Sequence, residues 1–312
     1  MLGRDADAIF WLFRYVERSE NLATLLDTFF GLTLTDFEGL HNEHNFLFKA
    51  MEQNLEDFRK LKKTDLTKIM NLFLKDEKRV NAMPFLLKKI KENARIARTA
   101  LSSDLWRAIN DYWLYVNSIK KTRIREGDIP RLISDFKIKN SLIRGAFNGS
   151  LLRNEIFYFG SLGTYMERAD NTARVLEFKL GGSFISNGCF DSLMKKKSWE
   201  IVLKLVQAHS SYGWLNKGQI SSIKVAKFLI SDTRMPRSLF YCSDSIYKNI
   251  LSIVSEGSNL HKSLRLSKQI RAQMFSADLN SFDNIRHCAT SYIAKNNQLF
   301  LAIEKDFRFI QH

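Results

Sequence analysis

The chain has 312 residues with 14 Gly and three Pro, where average usage would give about 22 Gly and about 16 Pro. So few turn residues exclude a sandwich of many short strands, and 45 % apolar residues exclude a disordered chain. Its 48 Lys and Arg against 33 Asp and Glu leave a net charge of +15, which raises a nucleic-acid reading. The basic residues come as scattered pairs (Lys62-Lys63, Lys88-Lys89, Lys120-Lys121) with one tight run, Lys195-Lys196-Lys197. That pattern fits solvated helix faces better than a nucleic-acid track.

Apolar residues recur at three- and four-residue steps from the start: Ile9, Leu12, Phe13, Val16, Ala23, Leu26 and Phe30. The spacing predicts a helix from about Asp5 to Phe30, ending near Gly31. Helical segments follow near 41–61, 64–75, 84–101 and 103–120. A second long helix is expected over 151–180, stopping at Gly181-Gly182. Further segments lie near 191–211, 219–230, 236–256, 259–275 and 281–308. Pro84, Pro130 and Pro236 each suit the first turn of a helix, where a missing N–H costs nothing. The fold class is therefore all-α.

No apolar run approaches the roughly 18–20 residues of a membrane span. The acidic, charged N-terminus does not read as a signal peptide. Cys189, Cys242 and Cys288 form no CxxC pair and no disulfide framework, which fits a reducing cytoplasm.

The two long helices share one motif, offset by 150 positions. The first reads Tyr15-Val16-Glu17-Arg18-Ser19-Glu20-Asn21-Leu22-Ala23; the second reads Tyr165-Met166-Glu167-Arg168-Ala169-Asp170-Asn171-Thr172-Ala173. Met83-Pro84 and Met235-Pro236 offer a weaker echo at 152 positions. A helical bundle of two tandem related halves, about 1–135 and 145–312 within one domain of 1–312, is expected around a pseudo-two-fold axis.

Positions three and four apart share a helix face. Arg14, Glu17, Glu20, Asn21 and Thr24 therefore form one polar stripe, and Thr164, Glu167, Asp170, Asn171 and Arg174 its counterpart. If the helices meet, the carboxylates Glu17, Glu20, Glu167 and Asp170 converge. Arg18 and Arg168 sit one step round, among aromatic and apolar neighbours that include Tyr15 and Tyr165, where a guanidinium needs a carboxylate partner. Three readings stand: a structural ion-pair network, an oxygen-only site for Mg²⁺ or Mn²⁺, and a pocket for a cationic or amino-acid-like group. No cofactor follows from any motif.

His41-Asn42-Glu43-His44 has metal-like spacing but lacks further ligands nearby. No Gly-rich phosphate loop or GxSxG occurs. The candidates for anion binding are Arg95 and the run Arg234, Arg237 and Ser238 at an expected helix N-terminus.

Met1-Leu2-Gly3-Arg4, Trp11, Arg14-Tyr15, Glu17-Arg18-Ser19-Glu20-Asn21 and the second motif copy resemble the bacterial alpha-E domain family. Glu92-Asn93-Ala94-Arg95, Ser103-Asp104-Leu105-Trp106, Leu152-Arg153-Asn154-Glu155 and Asp232 to Ser238 also fit, so the likeness covers essentially the whole chain. Departures are Leu22-Ala23-Thr24 where the family has Thr-Ala-Arg, Thr164 in place of Arg, and Gly3 in place of Ser. The resemblance implies an all-helical protein encoded beside, or fused to, a circularly permuted ATP-grasp protein, often with a transglutaminase-like protein. Its implied setting is amide-bond formation on a peptide or amino-acid substrate. The expected function is a partner or accessory subunit of that amidoligase. The alternatives are an independent metal-assisted hydrolase or transferase using the clustered carboxylates, and a basic nucleic-acid-binding protein.

Overall fold

The computed structural model describes residues 2–34, 66–181, 192–254 and 261–309. Among them the chain is all-helical, with no strand. The described residues divide into two compact units, one of 2–34, 66–164 and 309, the other of 165–181, 192–254 and 261–308. The expected segment near 41–61, His41 to His44, Gly182 and Cys189 lie outside the described residues. No helix among the described residues is long and apolar enough to cross a membrane.

The first unit is built on α1 (Gly3–Thr33), α2 (Leu66–Lys75), α3 (Met83–Ile96), α4 (Ser103–Lys120) and α5 (Ile129–Ser150). It also takes the N-terminal part of α6 (Glu155–Gly181). Helix α1 is buried on most of its circumference, including Asp7, Arg14, Glu17 and Glu20. A helix apolar all round is expected at the centre of a bundle; this one adds charges to that position. It runs through Gly31 to Thr33, two residues beyond the expected stop. Nothing lies within 4 Å of a Cβ built at Gly31, and the helix simply continues through it.

The second unit holds the rest of α6, then α7 (Ser192–Leu205), α8 (His209–Leu215), α9 (Ser222–Ser231), α10 (Leu239–Ile253), α11 (Lys262–Phe275) and α12 (Phe282–Asp306). The single segment expected near 191–211 is two helices. Gln207, with φ of 51°, breaks it in the left-handed region. Helix α10 begins at Leu239, not at Pro236. Asp232 accepts from the N–H groups of Arg234 and Met235, and Ser238 caps the helix by accepting from the N–H of Tyr241. Pro236 therefore lies in the approach turn, whereas Pro84 is in the first turn of α3.

The burial pattern of α5 recurs in α12 at a constant offset of 156. Ile129, Leu132, Ile133, Phe136, Asn140, Ile143 and Phe147 answer to Ile285, Cys288, Ala289, Tyr292, Asn296, Leu299 and Ile303, all buried. The same offset relates Ile69, Met70, Phe73 and Leu74 of α2 to Val225, Ala226, Leu229 and Ile230 of α9. It also relates Leu86, Ile90, Asn93 and Ala94 of α3 to Cys242, Ile246, Asn249 and Ile250 of α10. Asn93 and Asn249 make the same bond, each donating to the carbonyl four residues back, at 2.9 and 2.7 Å. At 156, Met83 aligns with Leu239, so the Met-Pro echo at 152 joins positions with different roles.

Candidate functional site

Each copy of the motif is built on one helix, and each is described within its own unit. In α1, Tyr15 and Arg18 are one turn apart and both half-buried, with the guanidinium carbon 5.5 Å from the Tyr15 ring centre. In α6, Arg168 stands 5.4 Å over Tyr165. The i, i+3 spacing produces the same cation–π pair twice. Glu17 and Glu167, at equivalent positions, are both buried carboxylates.

Around the first copy, Arg14 is buried and lies 4.9 Å over the Trp11 ring and 5.8 Å over Phe10. Glu20, 5 % exposed at its side chain, receives Arg144 Nη1 of α5 at 2.9 Å. A carboxylate this buried needs such a partner. Asn21 is half-buried. Between Glu17 and Glu20 stands Ser19, which is fully buried. Its hydroxyl donates to Asn140 Oδ1 at 2.7 Å, with the Val16 carbonyl 2.8 Å away. Asn140 Nδ2 in turn donates to the Phe136 carbonyl at 3.1 Å and to the Tyr112 hydroxyl at 3.3 Å. The Tyr112 hydroxyl donates to Met83 Sδ at 3.3 Å. Burial pushes the Tyr112 phenol far up, against its bonds to Ser19 and Asn140. The chain Ser19–Asn140–Tyr112–Met83 thus ties α1, α5, α4 and α3 together.

Around the second copy, Arg174 Nε donates to Asp170 Oδ2 at 2.7 Å, one turn back on α6. Burial alone would lower Arg174, but Asp170, with Glu167 and Glu177, holds it above its ordinary value. Tyr165 packs against Tyr241 at 6.0 Å between ring centres. Burial pushes its phenol up to about 12, with Arg168 pulling the other way. Asn171 is half-buried. The Thr172 hydroxyl donates to the Arg237 carbonyl at 2.9 Å, which fixes the turn before α10 to the motif helix.

This second copy uses the equivalent of the Ser19–Asn140 pair differently. Position 169 is Ala, so Asn296 Oδ1 has lost the hydroxyl that Asn140 Oδ1 receives. It is buried and has no hydrogen-bond partner among the described residues. Asn296 Nδ2 instead donates to the Met166 carbonyl at 3.3 Å, the equivalent of the Val16 carbonyl that faces Ser19. The buried phenol has moved as well. Phe136 of α5 becomes Tyr292 of α12 at the offset of 156, the buried positions of α4 and α11 match at 158 with Tyr112 answered by Ile270, and Ser243 donates to the Tyr292 hydroxyl at 3.2 Å.

The four residues singled out for anion binding fall in both units. Arg95 is exposed at the end of α3 in the first. In the second, Arg234 Nη2 pairs with Asp232 at 3.1 Å. Burial opposes the charge on Asp232, yet Arg234 and the two backbone N–H groups hold its carboxyl below the usual range. Arg237 and Ser238 are buried, and the Ser238 hydroxyl donates to the Asp232 carbonyl at 2.5 Å while capping α10. His209 stands 3.6 Å from Glu200, and His261 3.8 Å from Asp306. Cys242 and Cys288 are buried. Among the described residues, no group of three or more His, Cys, Asp and Glu is disposed to hold a metal ion.

Arg144, Asn140 and Tyr112 were not singled out from sequence. Asn140 carries a readable signal, a polar residue at a core position of an apolar period. Arg144 does not, since its partner lies on another helix more than a hundred residues away.

Neither a curated protein nor a solved structure matches the chain. A family model does, described as a predicted alpha-helical domain with a conserved ER motif, over residues 1–307.

Proposed function

The chain belongs to that family, Alpha-E, and on this premise we propose that it is an accessory subunit of a circularly permuted ATP-grasp amidoligase. In this reading the ligase activates a carboxyl group, and the motif helices present or orient an amine-bearing peptide or amino acid. The setting is cytoplasmic, where ATP is available. A transglutaminase-like protein encoded nearby belongs to the same system.

One observation supports the reading above the others. The motif is duplicated in geometry as well as in sequence, with Arg18 over Tyr15 at 5.5 Å and Arg168 over Tyr165 at 5.4 Å. Beside each pair stands a buried carboxylate, Glu17 or Glu167. Buried charge is costly, and a pure packing role is met more cheaply by apolar side chains. Carboxylates beside cationic and aromatic groups suit recognition of an ammonium group.

The test is co-expression with the ATP-grasp protein encoded beside this chain, followed by affinity capture and an ATP-dependent amide-bond assay. The expected result is a stable complex whose turnover requires this chain. Failure of capture together with unchanged turnover would remove the reading.

A further inference from the structure

A cationic cluster of the first unit lies outside the motif. Lys91 of α3 is 5 % exposed. Its Nζ donates to Asn110 Oδ1 at 2.7 Å and sits 3.7 Å from the ring centre of Trp106, with Trp113 at 6.0 Å, all three on α4. Arg98, on the 3-10 turn Arg98–Ala100 that follows α3, places its guanidinium carbon 4.7 Å from the same Trp106 ring centre. Arg95 stands one helical turn beyond Lys91, and both arginines are exposed.

None of these three cations lies within 4 Å of a carboxylate among the described residues. The nearest acid in sequence, Glu92, pairs with Lys89 at 3.1 Å and Lys88 at 4.0 Å. Burial first, then Arg95 and Arg98, push the Lys91 ammonium below its ordinary range. An ammonium has three N–H donors. Asn110 takes one and the Trp106 face another. A brace for one indole needs one cation. Here two cations share one indole and Arg95 adds a third charge one turn from Lys91; these like charges repel each other and call for a counter-charge from outside.

We propose that Lys91, Arg95 and Arg98, beside Trp106, form a binding site for an oxyanion, the carboxylate or phosphate group of a small ligand. The exposed arginines offer planar forks suited to two oxygens. Lys91 supplies the buried charge beneath them, and Trp106 holds both cations in place. This site is independent of the motif helices and of the amidoligase reading.

The experiment is calorimetric titration of the full chain at low salt, with inorganic phosphate in one arm and triglutamate in the other. Intrinsic tryptophan fluorescence is read in parallel. The expected result is one saturable site for at least one of the two, with a fluorescence change that Trp106→Phe abolishes. Lys91→Met and Arg98→Gln should each weaken binding at least tenfold, while Lys224→Gln, on the other unit, leaves it unchanged. Saturation by phosphate alone identifies a phosphate group, and saturation by the peptide identifies a carboxylate. Arg98 is exposed, so its variant keeps the test meaningful even where Lys91→Met fails to fold. Saturation by neither anion, or equal weakening by Lys224→Gln, would overturn the proposal.

Discussion

Gly163 of α6 lies so close to Phe10 of α1 that a Cβ on the glycine would stand 2.2 Å from the Phe10 carbonyl oxygen. One turn away, Gly160 faces Phe13 and Phe147, with ring atoms 2.8 Å from its would-be Cβ. In the 150-residue register, Phe10 aligns with Gly160 and Phe13 with Gly163, so the crossing is reciprocal. Each glycine of the second copy receives the phenylalanine that aligns with the other glycine. This contact holds the start of the second motif helix against the middle of the first.

Gly163→Ala should therefore destabilise the protein by about 1–3 kcal/mol, the usual cost of overpacking. Backbone cannot rotate away, so the cost exceeds that of Gly160→Ala, where rings can shift. Gly145→Ala is the control. Nothing lies within 4 Å of its Cβ, and the helix propensity of Ala should stabilise by up to about 1 kcal/mol. Urea denaturation of the three variants checks the order.

The Ser19–Asn140 bond and the unmet Asn296 Oδ1 give a paired prediction. Ser19→Ala removes a buried donor and should cost about 1–3 kcal/mol by leaving Asn140 Oδ1 unsatisfied. Ala169→Ser supplies the missing donor to Asn296 Oδ1 and should stabilise by about 1 kcal/mol. Equal destabilisation by both substitutions in thermal melts would refute the equivalence.

Arg144→Met removes the cation that faces Glu20 at 2.9 Å. Hydrogen bonds to charged groups are worth about 1.5–3 kcal/mol, and partial exposure of Arg144 puts the loss at the lower end. Adding Glu20→Gln should recover part of it, because the buried charge is then gone. A double-mutant cycle on unfolding free energy measures this coupling.

Alkaline pH should weaken the fold through Tyr165. Its phenol is raised to about 12 from an unfolded value near 10. The folded state therefore holds this proton more tightly than the unfolded one. Stability from this group is complete below about pH 10 and is lost as pH rises toward 12. Tyr165→Phe removes the titrating group and should flatten the fall of the unfolding midpoint between pH 10 and 12.

Periodicity made the helices legible, because the 3.6-residue repeat is local to each segment. The motif was legible because α1 and α6 keep their polar identities at 150 positions. The remaining kinship was hidden by substitution and insertion. The offset grows to 156 after α6, and the buried tyrosine moves from Tyr112 on α4 to Tyr292 on α12. Helix ends were less readable. Gly31 and Pro236 carry stop and start chemistry, yet packing continues α1 past one, and a cap at Ser238 starts α10 after the other. Glu17, Glu20 and Arg95 are readable from spacing along their own helices, while the pairing of Arg144 with Glu20 and the stacking of Lys91 and Arg98 on Trp106 depend on contacts between elements.

The motif's role is tested most directly by reconstituting the amide-bond assay with the proposed ATP-grasp partner and three forms of this chain. Wild type, Glu17→Gln and Glu167→Gln should all fold and bind the ligase, as circular dichroism and capture would show. The expected result is a loss of turnover of at least tenfold in both variants, since each neutralises a buried carboxylate beside its Tyr-Arg pair. Unchanged turnover in both folded, bound variants would contradict a functional role for the doubled motif.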